Sequence, residues 1–251
     1  MKTLLTLKDI SLIYHTKQSE TLALDDCSFE VGEGEFISLV GPSGCGKTTI
    51  LSLIAGLIKP TRGQIVLAGE VVTKQNPNTG YMFQRDNLFE WLSIKKNVTL
   101  GQEIQHKATK INQEKAFAIT ARYGLGDFSG HHPRHLSGGM RQRVALIRTL
   151  ATEPKLLLLD EPFSALDYQT RLLVQDNVHE IIKKEKKTAI LVTHDISEAV
   201  AMSDRVIILT KRPARVKKEL HLEFSPNLTP FERRSDPRFH EYFNEIWEEL
   251  V

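Results

Sequence analysis

Residues 41–48 read GPSGCGKT, and the chain on either side of them decides the fold. The octet fits the phosphate-loop pattern G-x-x-x-x-G-K-[ST], with Gly41, Gly46, Lys47 and Thr48 in the required places. Before it stands EFISLV, a buried-strand pattern, and after it TTILSLIAGL, a helix pattern. Strand, glycine-rich turn and helix, in that order, let backbone N–H groups curl around phosphate oxygens while the helix adds its positive end. The candidate cradle is Gly41, Pro42, Ser43, Gly44, Cys45, Gly46, Lys47, Thr48 and Thr49. Lys47 is placed to reach the β- and γ-phosphates, and the Thr48 hydroxyl to sit on Mg²⁺. A glycine-rich turn without a ligand is the bland alternative, and the strand and helix around it weigh against that. The sequence predicts binding of a nucleoside triphosphate.

The chain has 251 residues, room for one large domain or a core with one subdomain. Its 41% hydrophobic and 25% charged residues are ordinary for a globular protein, and a net charge of +2 makes no electrostatic case for nucleic acid. The only cysteines are Cys27, in a strand-like run, and Cys45, inside the phosphate loop, which argues against a disulfide framework or a cysteine metal site. The start, MKTLLTLKDISLIYH, does not read as a signal peptide, and no apolar run approaches the roughly 20 residues that span a bilayer. The expectation is a cytoplasmic protein whose membrane attachment comes through partners.

Apolar runs alternate with helical patterns, which predicts an α/β fold around a mostly parallel sheet. The strand candidates are LLTLKDISLIY, CSFEV, EFISLVG, GQIVLAG, GYMFQ, KLLLLDE, TAILVTH and RVIILT. The first few alternate with polar positions and are expected to form an antiparallel part. Between about residues 85 and 149 the texture turns polar and helical, in IKKNVTLGQEI, QEKAFAITARYGL and RQRVALIRTLATE. That stretch is expected to be a helical subdomain inserted between core segments 1–84 and 150–212. A tail, 213–251, follows: RPARVKKELHLEF reads as a hairpin-like strand region and DPRFHEYFNEIWEEL as an amphipathic helix. Asp236 would cap that helix, Pro237 open it, and Phe239, Phe243, Ile246, Trp247 and Leu250 share one face. Docking on the core and a surface for a partner are both open readings of that face.

LLLLDEP, residues 156–162, sets four apolar residues before two acids. A buried strand ending in a carboxylate beside a phosphate loop holds Mg²⁺, which assigns Asp160. Glu161, one residue on, points to the other side and could polarise a water in line with the γ-phosphate. A helix N-cap pair is the alternative for both acids.

With LSGGMRQRVALIRTLATEPKLLLLDEPFSALD in one piece, the chain resembles the ATP-binding-cassette ATPases over nearly its whole length. The resemblance implies a P-loop NTPase fold: an α/β, RecA-like core with an antiparallel β subdomain, plus the inserted helical subdomain. It implies ATP hydrolysis with ATP and Mg²⁺ as cofactors. Ser137, Gly138 and Gly139 match the signature that faces the γ-phosphate bound by a second copy, so a head-to-tail dimer with sandwiched nucleotides is implied. Gln84 matches the glutamine that reports on Mg²⁺ and the attacking water. Asp167 matches the loop crossing the dimer seam, and His194 the histidine that contacts the γ-phosphate and orients Glu161. Tyr14 matches the aromatic stacking on adenine, worth about 1–3 kcal/mol, although an ordinary strand residue fits the same position.

One cassette, no heptad arms and the stretch FQRDNLFEWLSIKKNV after Gln84 resemble the importers for nitrate, sulfonates and taurine. Some members of that group serve thiamine precursors or riboflavin. This implies a membrane permease, docking near Phe89 and Trp91, an extracellular solute-binding protein acting indirectly, and a place on the cytoplasmic face of the membrane. Packing within the helical subdomain is the other account of Phe89 and Trp91. The alternative function is a non-import cassette ATPase serving a lipid-trafficking or cell-division complex.

Overall fold

Alternating exposure along the first strands, against complete burial along the later ones, divides this chain into two sheets. The computed structural model describes residues 2–15 and 19–251. β1 (Thr3–His15) and β2 (Glu20–Gly32) pair antiparallel with several register shifts; along β2 the buried Cys27, Phe29 and Val31 alternate with exposed Asp26, Ser28 and Glu30. β3 (Phe36–Val40) is buried on both faces, leads through the phosphate loop and ends at α1 (Lys47–Ile54). β4 (Arg62–Leu67) and β5 (Glu70–Val71) return to the antiparallel sheet, whose order is β2-β1-β4-β5. β4 was foreseen as a strand, but its place in this sheet was not. Its exposed first half suits an edge that solvent reaches.

β6 (Thr79–Met82) is followed by α2 (Ile94–Ile104), α3 (Lys110–Arg122) and α4 (Gly138–Leu150), which pack on one another. The chain then alternates between β7 (Leu156–Asp160), α5 (Tyr168–Lys184), β8 (Thr188–Val192), α6 (Ile196–Met202) and β9 (Arg205–Leu209). The second sheet runs β10-β9-β3-β8-β7-β6, parallel except for β10 (Val216–His221), the antiparallel return of the hairpin. α7 (Pro230–Arg233) and α8 (Pro237–Leu250) complete the described chain. Strands buried on both faces need helices on both sides, and β3, β7, β8 and β9 are buried at every position.

Three apolar clusters result. One joins the antiparallel sheet to α1 and one face of the parallel strands. A second joins the other face to α2, α4 and α5, and a third ties α6 and β9 to α8. Asp236 caps α8 through the Arg238 N–H, as its sequence promises. Phe239 and Ile246 are buried in one cluster with side chains of α6 and β9, with Phe243 and Leu250 partly buried beside them. Each fully buried side chain contributes about 1.5–3 kcal/mol. Trp247 does not share that face: it is 55% exposed and stacks on Phe243, ring centroids 6.4 Å apart. The stripe follows positions 239, 243, 246 and 250, and Trp247 falls one helical step beyond its edge.

Candidate functional site

The carboxyl ends of β3, β7 and β8 meet at one cleft, because parallel strands deliver their C-terminal loops to the same edge. The cleft is about 550 Å³ and is lined by Ser43, Gly44, Gly46, Lys47, Thr48, Thr49, Glu161 and His194. Gly46 holds φ at 127°, and a Cβ there would come within 3.0 Å of Leu24 Cδ2, so only glycine fits this corner. Lys47 is buried, and its ammonium donates to the carbonyl oxygens of Gly41 at 2.8 Å and Pro42 at 3.1 Å. The lysine thus braces its own loop while remaining in the cleft lining.

Thr48 and Asp160 are adjacent, the threonine hydroxyl donating to Asp160 Oδ1 at 3.1 Å. The Tyr81 hydroxyl donates to the other oxygen, Oδ2, at 3.0 Å. Burial pushes the Asp160 carboxyl above its ordinary value, and the bonds from Tyr81 and Thr48 pull it back. Burial and the neighbouring Asp160 carboxylate raise the Tyr81 phenol in turn, so Tyr81 stays protonated and donates. Sequence reading missed Tyr81. The available signal was alternation in GYMFQ, which puts Tyr81 and Phe83 on one face and Met82 in the core.

Glu161 adopts the left-handed region, φ 46°, and its N–H donates to Val192 O at 2.9 Å. That turn carries its side chain away from Asp160 and toward His194, whose Nδ1 lies 3.2 Å from Glu161 Oε2. The histidine loop is pinned from below. Thr193 Oγ1 donates to the buried Glu198 at 2.6 Å, and Glu198 also accepts from Gln175 Nε2 at 2.9 Å. Burial raises the Glu198 carboxyl. This anchor was not legible in the sequence.

The remaining predicted residues do not line the cleft. Gln84 donates its amide to Ser164 Oγ at 3.1 Å, and Ser164 donates to Glu161 O at 3.0 Å, so a polar chain runs from Gln84 to the Glu161 backbone. Tyr14 is exposed, and its hydroxyl is 3.3 Å from Thr49 Oγ1, beside the first turn of α1. Ser137 caps α4 by accepting from the Met140 N–H, with Gly138 and Gly139 in the first turn. Asp167 caps α5 through Thr170 N–H at 3.0 Å. Neither cap reaches the cleft of its own chain. Cys45 and Cys27 are both buried free thiols, and burial pushes Cys27 up to about 12.

A second depression, of about 380 Å³, is lined by Leu57, Tyr81, Phe83, Phe89, Leu100 and Ile104 among others. Phe89 is half-buried at its wall. Trp91, 73% exposed and edge-on to Phe89 at 5.0 Å, does not pack inside the helices. Arg141 clamps Asp86 at 2.8 and 3.1 Å, and Arg148 donates to the Asp86 and Asn87 carbonyl oxygens at 2.7 Å each. The segment after Gln84 is therefore fixed to α4, the helix that Ser137 opens.

Residues 24–164 match the family described as ABC transporter. The chain belongs to the ABC transporter family. It is 46% identical over 239 residues to the uncharacterized ABC transporter ATP-binding protein YtlC of Bacillus subtilis, covering 94% of this chain and 92% of that protein. It is 37% identical to the nitrate import ATP-binding protein NrtD of Synechocystis, covering 96% and 93%. Among solved structures it resembles a dimeric ATP-binding cassette in a post-hydrolysis state bound to ADP and Pi, with TM-score 0.73, 30% identity, 88% of this chain and 100% of that one. As an ABC-family ATPase the chain binds nucleotide and hydrolyses ATP, and its fold is the P-loop NTPase cassette. Among the described residues no helix is long and apolar enough to cross a membrane.

Proposed function

We propose that this chain is the ATP-hydrolysing subunit of an ABC importer for a small solute, working through a separate permease at the cytoplasmic face of the membrane. The observation that carries the importer reading is the apolar depression lined by Phe83 and Phe89, with exposed Trp91 edge-on to Phe89, in a segment tied by Arg141 and Arg148 to the signature helix. Exposed aromatics beside a groove are favoured anchors for a protein partner. Similarity to a nitrate import protein along almost the full chain supports the same reading. The solute is of the nitrate, sulfonate or taurine type, or a thiamine precursor or riboflavin, and its contacts lie in other subunits.

In this proposal segments 1–84 and 150–212 form the ATP-binding core, 85–149 the helical subdomain and 213–251 a tail on the core. ATP lays its phosphates along residues 41–49, with adenine against Tyr14. Lys47 exchanges the Gly41 and Pro42 carbonyls for phosphate oxygens and balances charge developing there. Mg²⁺ fits the site: Thr48 Oγ1 and the Asp160 carboxylate are hard oxygen donors already side by side. Thr48, Asp160 and Gln84 would hold the ion, and when bound it supplies neutralisation of the phosphate oxygens. Glu161 polarises the attacking water, and His194 orients Glu161 and touches the γ-phosphate.

A second copy supplies Ser137, Gly138 and Gly139 to that phosphate and Asp167 to the seam. The dimeric cassette it resembles supports this arrangement, and so do signature residues that do not line their own cleft. Closure on ATP would pull α4, and through Arg141 the segment beneath Trp91, toward the core.

The test is ATPase activity of the purified chain, alone and in lipid with permeases encoded beside its gene, with and without their binding protein. Strong stimulation by permease and loaded binding protein is expected. Hydrolysis indifferent to every permease would move the output to a lipid-trafficking or cell-division complex.

A further inference from the structure

The loop joining β9 to β10 brings a cation to the phosphate loop that the mechanism above leaves unused. Its frame is rigid. Thr210 N–H donates to Arg215 O at 3.0 Å, and Thr210 Oγ1 accepts from Arg215 N–H at 2.9 Å. Ala214 exchanges backbone bonds with β2, donating to Ala23 O at 2.9 Å and accepting from Asp25 N–H at 3.1 Å. Arg215 is ion-paired with Asp25. The same corner abuts the phosphate loop, since a Cβ on Gly46 would approach Leu24 Cδ2 at 3.0 Å and Ala214 Cβ at 3.8 Å.

Arg212 projects from this frame. Its Nη2 lies 4.0 Å from where a Cβ on Gly44 would stand, and Gly44 lines the cleft. Arg212 is exposed and, among the described residues, makes no hydrogen bond, ion pair or ring contact. The acids of this corner are engaged elsewhere, Asp25 by Arg215 and Glu249 by Lys217 and Lys218. Holding an unpaired guanidinium beside a loop built for anions raises the local positive potential, and a guanidinium matches phosphate oxygens in a bidentate manner.

We infer that Arg212 is a further nucleotide-binding residue, closing on the phosphate chain from the β9 side of β3 while Glu161 and His194 approach from the β7 and β8 side. The sheet order β9-β3-β8-β7 sets the two approaches on opposite flanks of the phosphate loop. The ligand class is the polyphosphate of a nucleoside di- or triphosphate. The inference rests on the phosphate-loop reading of residues 41–49.

The experiment compares equilibrium binding of ATP, ADP and adenosine to the unaltered chain, Arg212→Ala, Arg212→Lys and Lys47→Ala. Binding is measured at low and high salt, and at dilutions where the chain is monomeric. Thermal unfolding without nucleotide checks that the variants fold alike. Arg212→Ala should weaken ATP and ADP by about three- to tenfold at low salt, flatten the salt dependence and leave adenosine unchanged. Arg212→Lys should recover part of the loss. ATP and ADP affinities in Arg212→Ala unchanged from the unaltered chain, or a loss shared by adenosine, would overturn the inference. So would a defect seen only when two copies associate, since that makes Arg212 a seam residue. Lys47→Ala keeps the two readings apart: undiminished ATP binding there removes the phosphate-loop reading, whereas its loss beside an unaffected Arg212→Ala removes only Arg212.

Discussion

The Tyr81 hydroxyl donates to Asp160 Oδ2 at 3.0 Å, while the Thr48 hydroxyl donates to Oδ1 of the same carboxylate at 3.1 Å. Both oxygens of a largely buried acid are thus held by neutral donors, one from the neighbouring strand β6 and one from α1. Tyr81→Phe removes one donor and leaves the burial. Loss of a hydrogen bond to a charged group costs about 1.5–3 kcal/mol. Chemical denaturation should register a loss of this order, and half-maximal ATPase activity should need more Mg²⁺. An unchanged Mg²⁺ dependence would confine Tyr81 to a packing role.

His194 Nδ1 stands 3.2 Å from Glu161 Oε2, in the cleft that Lys47 also lines. Glu161→Gln should bind ATP, associate into dimers and lose turnover by a factor on the order of 10²–10⁴. Single-turnover hydrolysis and light scattering measure the two properties on one sample. Near-normal hydrolysis would remove Glu161 from its assigned role.

Lys47 bonds to its own loop before any nucleotide arrives. Lys47→Ala should therefore lower both ATP affinity, by roughly ten- to a hundredfold, and the unfolding temperature of the nucleotide-free chain. Calorimetry with and without ATP separates the two. An unfolding temperature that stays put would show that the carbonyl bonds contribute nothing to stability.

His179 on α5 is buried beside Phe36, and burial, with Arg233 and Lys183 nearby and Asp204 opposing them, lowers it from 6.5 to about 4. The folded chain holds this imidazole neutral where the unfolded chain already takes up a proton. Stability is therefore full above pH 6.5 and is lost as the pH falls from there through about 4, by roughly 3 kcal/mol in all. His179→Leu should flatten the stability-versus-pH curve in this window, and denaturant midpoints between pH 7 and 4 would show it. A slope identical to that of the parent would place the acid sensitivity elsewhere.

Trp91 is exposed beside the groove that Phe83 and Phe89 line. Trp91→Ala should cut the ratio of permease-stimulated to unstimulated hydrolysis at least severalfold, as loss of an aromatic anchor of about 2 kcal/mol or more does. An unchanged ratio in proteoliposomes would move the docking surface away from Trp91.

The parts of this protein legible from the sequence are those whose chemistry is carried by neighbours along the chain. The proposed phosphate cradle, Gly41 to Thr49, is one contiguous run, and Asp160, proposed to sit beside it, ends an unbroken apolar strand, so both candidates are written in short words with fixed spacing. The cap at Asp236 is legible for the same reason. Three things only the tertiary structure decided. Tyr81 meets Asp160 because β6 and β7 pair in parallel, which nothing within GYMFQ announces. Trp247 leaves the face that its spacing suggested because the width of the apolar stripe is set by what α8 packs against, not by α8. Arg212 comes to Gly44 because β9 lies next to β3, and strand order is a property of the sheet, with no local sequence to encode it.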